Sequence, residues 1–137
     1  MKEKQTLRLD RKLALFICIL AVCMCLAYAW FRQDLPNWWR SSGGGIPYTF
    51  FFVTFFFALM PKRSLLGSVV GLAIAWSCTA EFLQLWQAKW LVELRSSSLG
   101  AALLGSSFTW SDLPPYFLGG GLGYLVFRAV FWKFSPK

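Results

Sequence analysis

Histidine is absent from this chain, and acidic residues are scarce, six against fourteen lysines and arginines among 137 residues. The first absence removes Ser-His-Asp and Cys-His nucleophile systems together with the commonest metal ligand. Charge of either sign is sparse at 15%, whereas 57% of the residues are hydrophobic and 19% aromatic. So oily a composition is foreign to a soluble domain of this size. Also missing is the alternation of apolar and polar residues that transmembrane barrel strands need. The class left standing is an all-α membrane protein. The four cysteines, Cys18, Cys23, Cys25 and Cys78, fall inside apolar runs at spacings that match no zinc motif. They read as small buried residues, and the sequence implies neither a metal nor a cofactor.

A helix needs roughly 20 residues to cross a hydrocarbon layer about 30 Å thick. Four runs approach that length, 13–31, 46–60, 65–86 and 115–134, and they predict a polytopic fold in which residues 1–137 form one membrane domain. The second run is short, since 15 residues rise only about 23 Å. It is expected to borrow Gly43 to Gly45 or to cross where the bilayer thins. The stretch from Arg40 to Gly45 otherwise reads as a flexible outer hinge. A basic tail, an apolar run and Ala27-Tyr28-Ala29 resemble a signal-peptide pattern, but the apolar run continues through Trp30-Phe31, so an uncleaved first span is expected.

Basic residues cluster at Lys2, Lys4, Arg8, Arg11 and Lys12, at Lys62 and Arg63, and at Arg128, Lys133 and Lys137. With four spans these three regions share one side, which the positive-inside rule makes cytoplasmic, both termini included. The net charge of +8 therefore reads as topology, with some affinity for anionic lipid head groups. Split among three short segments, it forms no nucleic-acid recognition element. Trp30, Trp38, Trp39, Trp86, Trp90 and Trp110 fall at the outer ends of spans or in outer loops, where amphipathic rings anchor at the interface.

The region from 81 to 123 carries the chemistry. Rotated at about 100° per residue, the third run places Glu81 on the face of Gly67 and Gly71, with Trp76 opposite. A Gly-x-x-x-Gly pair permits close helix approach in membranes, so this face is expected to be packed. Gln84 follows one turn after Glu81, at the edge of that face. The fourth run repeats the device with Gly119 and Gly123. Between the third and fourth runs, 97–108 is mostly apolar and too short to span, which predicts a re-entrant or interfacial segment.

An ionisable residue in lipid is costly and needs a partner. For Glu81 the choices are a structural network with Arg95 or Gln84, or a site that also touches a ligand. For Asp112 they are a helix N-cap, an ion pair with Arg95, or a ligand contact. Pro114 and Pro115 lack the N–H groups that such a cap would bind. Lys89 and Glu93 read as solvated loop charges.

Glu81-x2-Gln84, then Arg95-x3-Leu99-Gly100-x3-Leu104-Gly105-x2-Phe108-x-Trp110-x-Asp112-Leu113, then Tyr116, Gly119 and Gly123 resemble the VanZ-like membrane proteins of bacteria. The spacing is most similar to a small related bacterial family of unknown function. Tyr116 stands where the VanZ-like pattern has Asn, and the Arg-to-Asp segment is longer. The resemblance implies a small multi-spanning protein of the bacterial inner membrane connected with the cell envelope, VanZ itself being associated with resistance to glycopeptide antibiotics.

On this basis Glu81, Gln84, Arg95, Trp110, Asp112 and Tyr116 are the candidate ligand-binding residues. They are expected to form an outward-facing pocket for a polar lipid head group or a lipid-linked envelope precursor. Arg95 suits phosphate or carboxylate, and the others suit hydroxyls. Two further readings are a structural or assembly subunit, homo-oligomeric or bound to a membrane partner, and an acid–base hydrolase of a lipid-linked substrate. No nucleophile with an adjacent base is visible, so no catalytic residue is assigned.

Overall fold

The computed structural model describes residues 2–105 and 107–134; Lys137 of the C-terminal basic group and Ser106 of the 97–108 segment lie outside the described residues. Those residues are helical, without a strand among them. Seven α-helices follow in order: α1 (Lys2–Phe31), α2 (Asn37–Ser42), α3 (Gly45–Leu59), α4 (Leu66–Leu83), α5 (Lys89–Ser96), α6 (Ser98–Leu104) and α7 (Leu113–Lys133). The four long ones form a bundle in which α3 packs on α1, α4 and α7, while the short ones gather at one end.

Three stretches, Lys4–Asp34, Asn37–Leu59 and Arg63–Leu83, are long and apolar enough to cross a membrane, which is consistent with a membrane protein. The shortness of the second run is resolved locally. Gly43 and Gly44 have right-handed helical backbone angles, so the chain continues from α2 into α3 with no extended hinge. Close packing explains the glycines here: a Cβ on Gly44 would stand 2.8 Å from the Tyr28 ring, and one on Gly45 would stand 2.8 Å from Cβ of Pro115. α7 has 21 residues, but its prolines, glycines and Arg128 dilute its hydropathy.

The interior is aromatic and small. Phe57, Phe127 and Phe131 interlock, with ring centroids 4.6 Å apart for Phe57–Phe127 and 5.4 Å for Phe57–Phe131. Against them lie Val53, Val69 and Ala73. On α1 the buried residues Asp10, Ala14, Ile17 and Ala21 recur at helical spacing and form one face. The opposite faces carry exposed Phe16, Ile19, Leu26, Phe117, Leu118 and Leu125. An apolar exterior of this extent marks a surface that meets lipid or another apolar partner.

Polar groups tie the helices together. Thr49 and Ser77 share a buried hydrogen bond of 2.9 Å between α3 and α4. At the opposite end from the short helices, Arg63 grips Asp10 with two bonds of 2.8 and 2.9 Å, and its guanidinium lies 4.7 Å from the centroid of Phe131. Asp10 is 1% exposed. This clamp joins α1, the turn before α4, and α7; it is the only ion pair among the described residues.

The two glycine pairs part company. A Cβ on Gly119 would come within 2.4 Å of the Ile46 carbonyl oxygen, and one on Gly123 within 2.7 Å of a Val53 methyl. Here α7 meets α3 backbone to backbone at Gly119 and backbone to side chain at Gly123. Gly67 and Gly71, expected on the packed face, are exposed and would meet nothing within 4 Å. The packed face of α4 is instead drawn by Leu66, Val69, Ala73, Ser77 and Ala80, whose larger volumes fill the space against α3 and α7. Gly119→Ala is therefore expected to destabilise the protein by about 1–3 kcal/mol through overpacking. Gly67→Ala should be neutral or stabilising by up to about 1 kcal/mol through helix propensity. Thermal unfolding of both variants in one detergent checks the contrast.

Candidate functional site

The site grows from the last turn of α4. Residues three apart on a helix share a face, which brings Glu81 and Gln84 together, with Gln84 Nε2 donating to Glu81 Oε2 at 3.2 Å. The same Oε2 accepts the Tyr116 hydroxyl proton at 2.6 Å, and Oε1 accepts the backbone N–H of Thr109 at 2.8 Å. Glu81 is 1% exposed. Its carboxyl group is thus held by donors from α4, α7 and the loop between α6 and α7, and no cation is among them.

The segment over this carboxyl group is α6, seven residues or about 10 Å long. Its start is capped by Ser97 Oγ, which accepts from Gly100 N at 3.0 Å. Its last carbonyls, which a helix leaves without internal partners, are taken by side chains. Leu103 O accepts from the Tyr48 hydroxyl, and Leu104 O accepts from Gln84 Nε2 at 2.9 Å. The chain then turns at Gly105, where φ is +70° and a Cβ would lie 2.3 Å from Gln84 Nε2. Glycine is needed there both for its backbone and for its missing side chain.

Arg95 is brought to neither carboxylate. It is 8% exposed and lies against backbone carbonyls, with Nη1 on Gln84 O at 3.1 Å, Nη2 on Trp86 O at 2.7 Å and Nε on Leu91 O at 3.3 Å. A cation over carbonyls at and just beyond the end of α4 complements the helix dipole, and Gln84 O also accepts from Gln87 Nε2 at 3.0 Å. Trp110 is 69% exposed and faces away from the carboxylates. It joins Phe82 and Phe108 in an aromatic trio, with centroids 5.0 Å from Phe108 and 6.2 Å from Phe82.

Glu81, Gln84, Asp112 and Tyr116 line one cavity of about 710 Å³ between α1, α3, α4, α6 and α7. Its walls include Leu26, Phe51 and Phe52, and its polar side also receives Arg32, Ser42 and Tyr48. Size and lining match those of ordinary small-molecule sites. Asp112 caps no helix by its side chain. Its Oδ1 is buried without a hydrogen-bond partner, as is Gln84 Oε1. Burial pushes the Asp112 carboxyl above the usual carboxylate range. Ser42 opposes this, Glu81 adds to it, and Arg32 counters it.

Arg32 is the cation at this cavity, and the sequence did not single it out. The available signal was its spacing from Tyr28, four residues earlier on one helical face. Arg32 Nε donates to Arg40 O at 2.8 Å, and the Tyr28 hydroxyl donates to Trp39 O at 2.6 Å.

Fold and site together define a small helical bundle with an apolar exterior and a polar-floored cavity at one end. Residues 35–120 match the family model described as "Protein of unknown function (DUF2809)". The match covers more than half of the chain, which belongs to this family. It includes Glu81, Gln84, Arg95, Trp110, Asp112 and Tyr116 and leaves Arg32 outside. No solved structure matches the chain.

The bonds to Glu81 generate a direct expectation. Removing the Tyr116 hydroxyl in Tyr116→Phe deprives a buried carboxyl of a short donor and should cost about 1.5–3 kcal/mol. Glu81→Ala should cost more, because it orphans donors on three elements. The double variant should be scarcely worse than Glu81→Ala alone, a coupling that unfolding in detergent can measure.

Proposed function

We propose that this chain is a VanZ-like protein of the bacterial inner membrane that crosses four times, with both termini cytoplasmic. In this reading α7 is the fourth span and the 97–108 segment an interfacial cover. The cavity then faces outward, opposite the basic residues of the tail and of the turn before α4. Its ligand is the polar head group of a membrane lipid or of a lipid-linked envelope precursor.

One observation carries this reading. Gln84 Oε1 and Asp112 Oδ1 are buried acceptors without partners, and both residues line a cavity whose walls also include Leu26, Phe51 and Phe52. An unsatisfied buried acceptor is costly, about 1–3 kcal/mol, and a head group rich in O–H or N–H donors removes that cost. Arg32 supplies the phosphate-directed charge at the mouth, while Arg95 positions α4 and the loop that Gln84 holds. The apolar walls suit the upper part of an acyl or isoprenoid chain.

A second reading, a structural or assembly subunit, draws support from the complete set of bonds on Glu81. Hydrolysis ranks third, because Glu81 is already engaged as an acceptor by Gln84, Thr109 and Tyr116. Native mass spectrometry of the protein released from its membrane separates these readings. Wild type is expected to retain a specific lipid or lipid-linked species that Arg32→Ala, folded to the same degree, loses. Equal retention by both would leave the structural reading as the account of the cluster.

A further inference from the structure

The tyrosine and glutamine donors of the cavity are already committed, and that narrows the ligand. The hydroxyl protons of Tyr28, Tyr48 and Tyr116 go to Trp39 O, Leu103 O and Glu81 Oε2. Gln84 Nε2 is divided between Glu81 Oε2 and Leu104 O. Gln84, a residue only 6% exposed, and Asp112 both line the cavity, and Oε1 of the first and Oδ1 of the second are buried without a partner. An occupant must therefore bring donors. Two carboxyl groups, Glu81 and Asp112, border the same space, and the cation that lines it, Arg32, is an exposed residue. The inner part of the cavity thus favours positive charge, and its mouth favours negative charge.

We propose that the cavity selects a zwitterionic aminophospholipid head group, its primary ammonium lying on the side lined by Glu81, Gln84 and Asp112 and its phosphate meeting Arg32. This assignment rests on the head-group reading above and narrows it to one class. A primary ammonium has three N–H donors and full positive charge, whereas a quaternary ammonium has the charge alone and a glycerol head group has donors without the charge. Charge-assisted bonds to a buried carboxylate are the stronger kind, so selectivity should follow the number of N–H groups.

The test is competition among head groups on one set of acyl chains. Full-length protein is reconstituted in nanodiscs containing equal fractions of phosphatidylethanolamine, its N,N-dimethyl derivative, phosphatidylcholine and phosphatidylglycerol. Retained lipids are then identified by native mass spectrometry. Phosphatidylethanolamine should exceed phosphatidylcholine by about tenfold or more, with the dimethyl lipid between them. Asp112→Asn should reduce that ratio by about tenfold. The N-methyl series on wild type decides the matter even if the variant does not fold. Equal retention of phosphatidylethanolamine and phosphatidylcholine overturns the ammonium assignment. Preference for phosphatidylglycerol also overturns it, while sparing the head-group reading, since glycerol hydroxyls would then be the donors. Retention of no lipid at all fails the head-group reading itself.

Discussion

The buried Glu81 carboxyl group is the joint on which this end of the molecule depends. It binds a side chain of its own helix, the Tyr116 hydroxyl of α7 and the Thr109 backbone of the loop between α6 and α7. Gln84, oriented by Glu81, reaches Leu104 O and closes the end of α6. Lipid tails are as apolar as the helices, so helix association in a membrane relies on packing and interhelical hydrogen bonds rather than on hydrophobic burial. A carboxyl group that gathers donors from three elements is well suited to that task. It also accounts for the short helices lying over the cavity as one assembly, since removing Glu81 would release the loop and α6 together.

The other end is held by different chemistry. Asp10 and Arg63 form a bidentate pair, with Phe131 beneath the guanidinium. Between the two ends, Gly119 and Gly123 let α7 approach α3, and the phenylalanine cluster fills the centre. Polar ties at both ends with small and aromatic packing between them form a consistent plan for a bundle whose outer faces are apolar. The plan also explains why the cavity lies where it does. The bulky aromatic packing occupies the middle and the basic end, and the cavity lies near Glu81 beside α6.

Long apolar runs made the long helices legible, because composition and length largely define them, although α1 begins at Lys2, well before the apolar run at 13. Glu81 with Gln84 was legible for a similar reason, since three-residue spacing on a helix brings side chains together whatever surrounds it. Tertiary features were harder. Gly67 and Gly71 carry the same spacing as Gly119 and Gly123, yet only the latter pair meets a neighbour; the pattern states what a face permits and not which face is used. Arg95 was readable as important but not in its role. A guanidinium satisfies backbone carbonyls as well as carboxylates, and the exposed ends of α4 lie nearer in the chain than Asp112. Arg32 escaped notice because its relevance comes from the fold of α1 against α3 rather than from any local motif.

The division of the cavity between matched and unmatched parts of the chain sharpens the functional argument. Gln84, Asp112, Glu81 and Tyr48 all fall within residues 35–120, and Arg32 with the α1 wall falls before them. The acceptor floor and the cationic mouth therefore belong to separable parts of the sequence. A floor of unpaired acceptors sets what the inner end of a ligand must donate. The Arg32 guanidinium, just after α1, sets what the outer end must carry, and the apolar face of α1 supplies the wall along which a hydrocarbon chain can lie. These demands meet in one amphipathic molecule with donors, an anionic group and a tail. In the reading proposed above that molecule is a lipid, taken up in the cavity at the end of an apolar bundle.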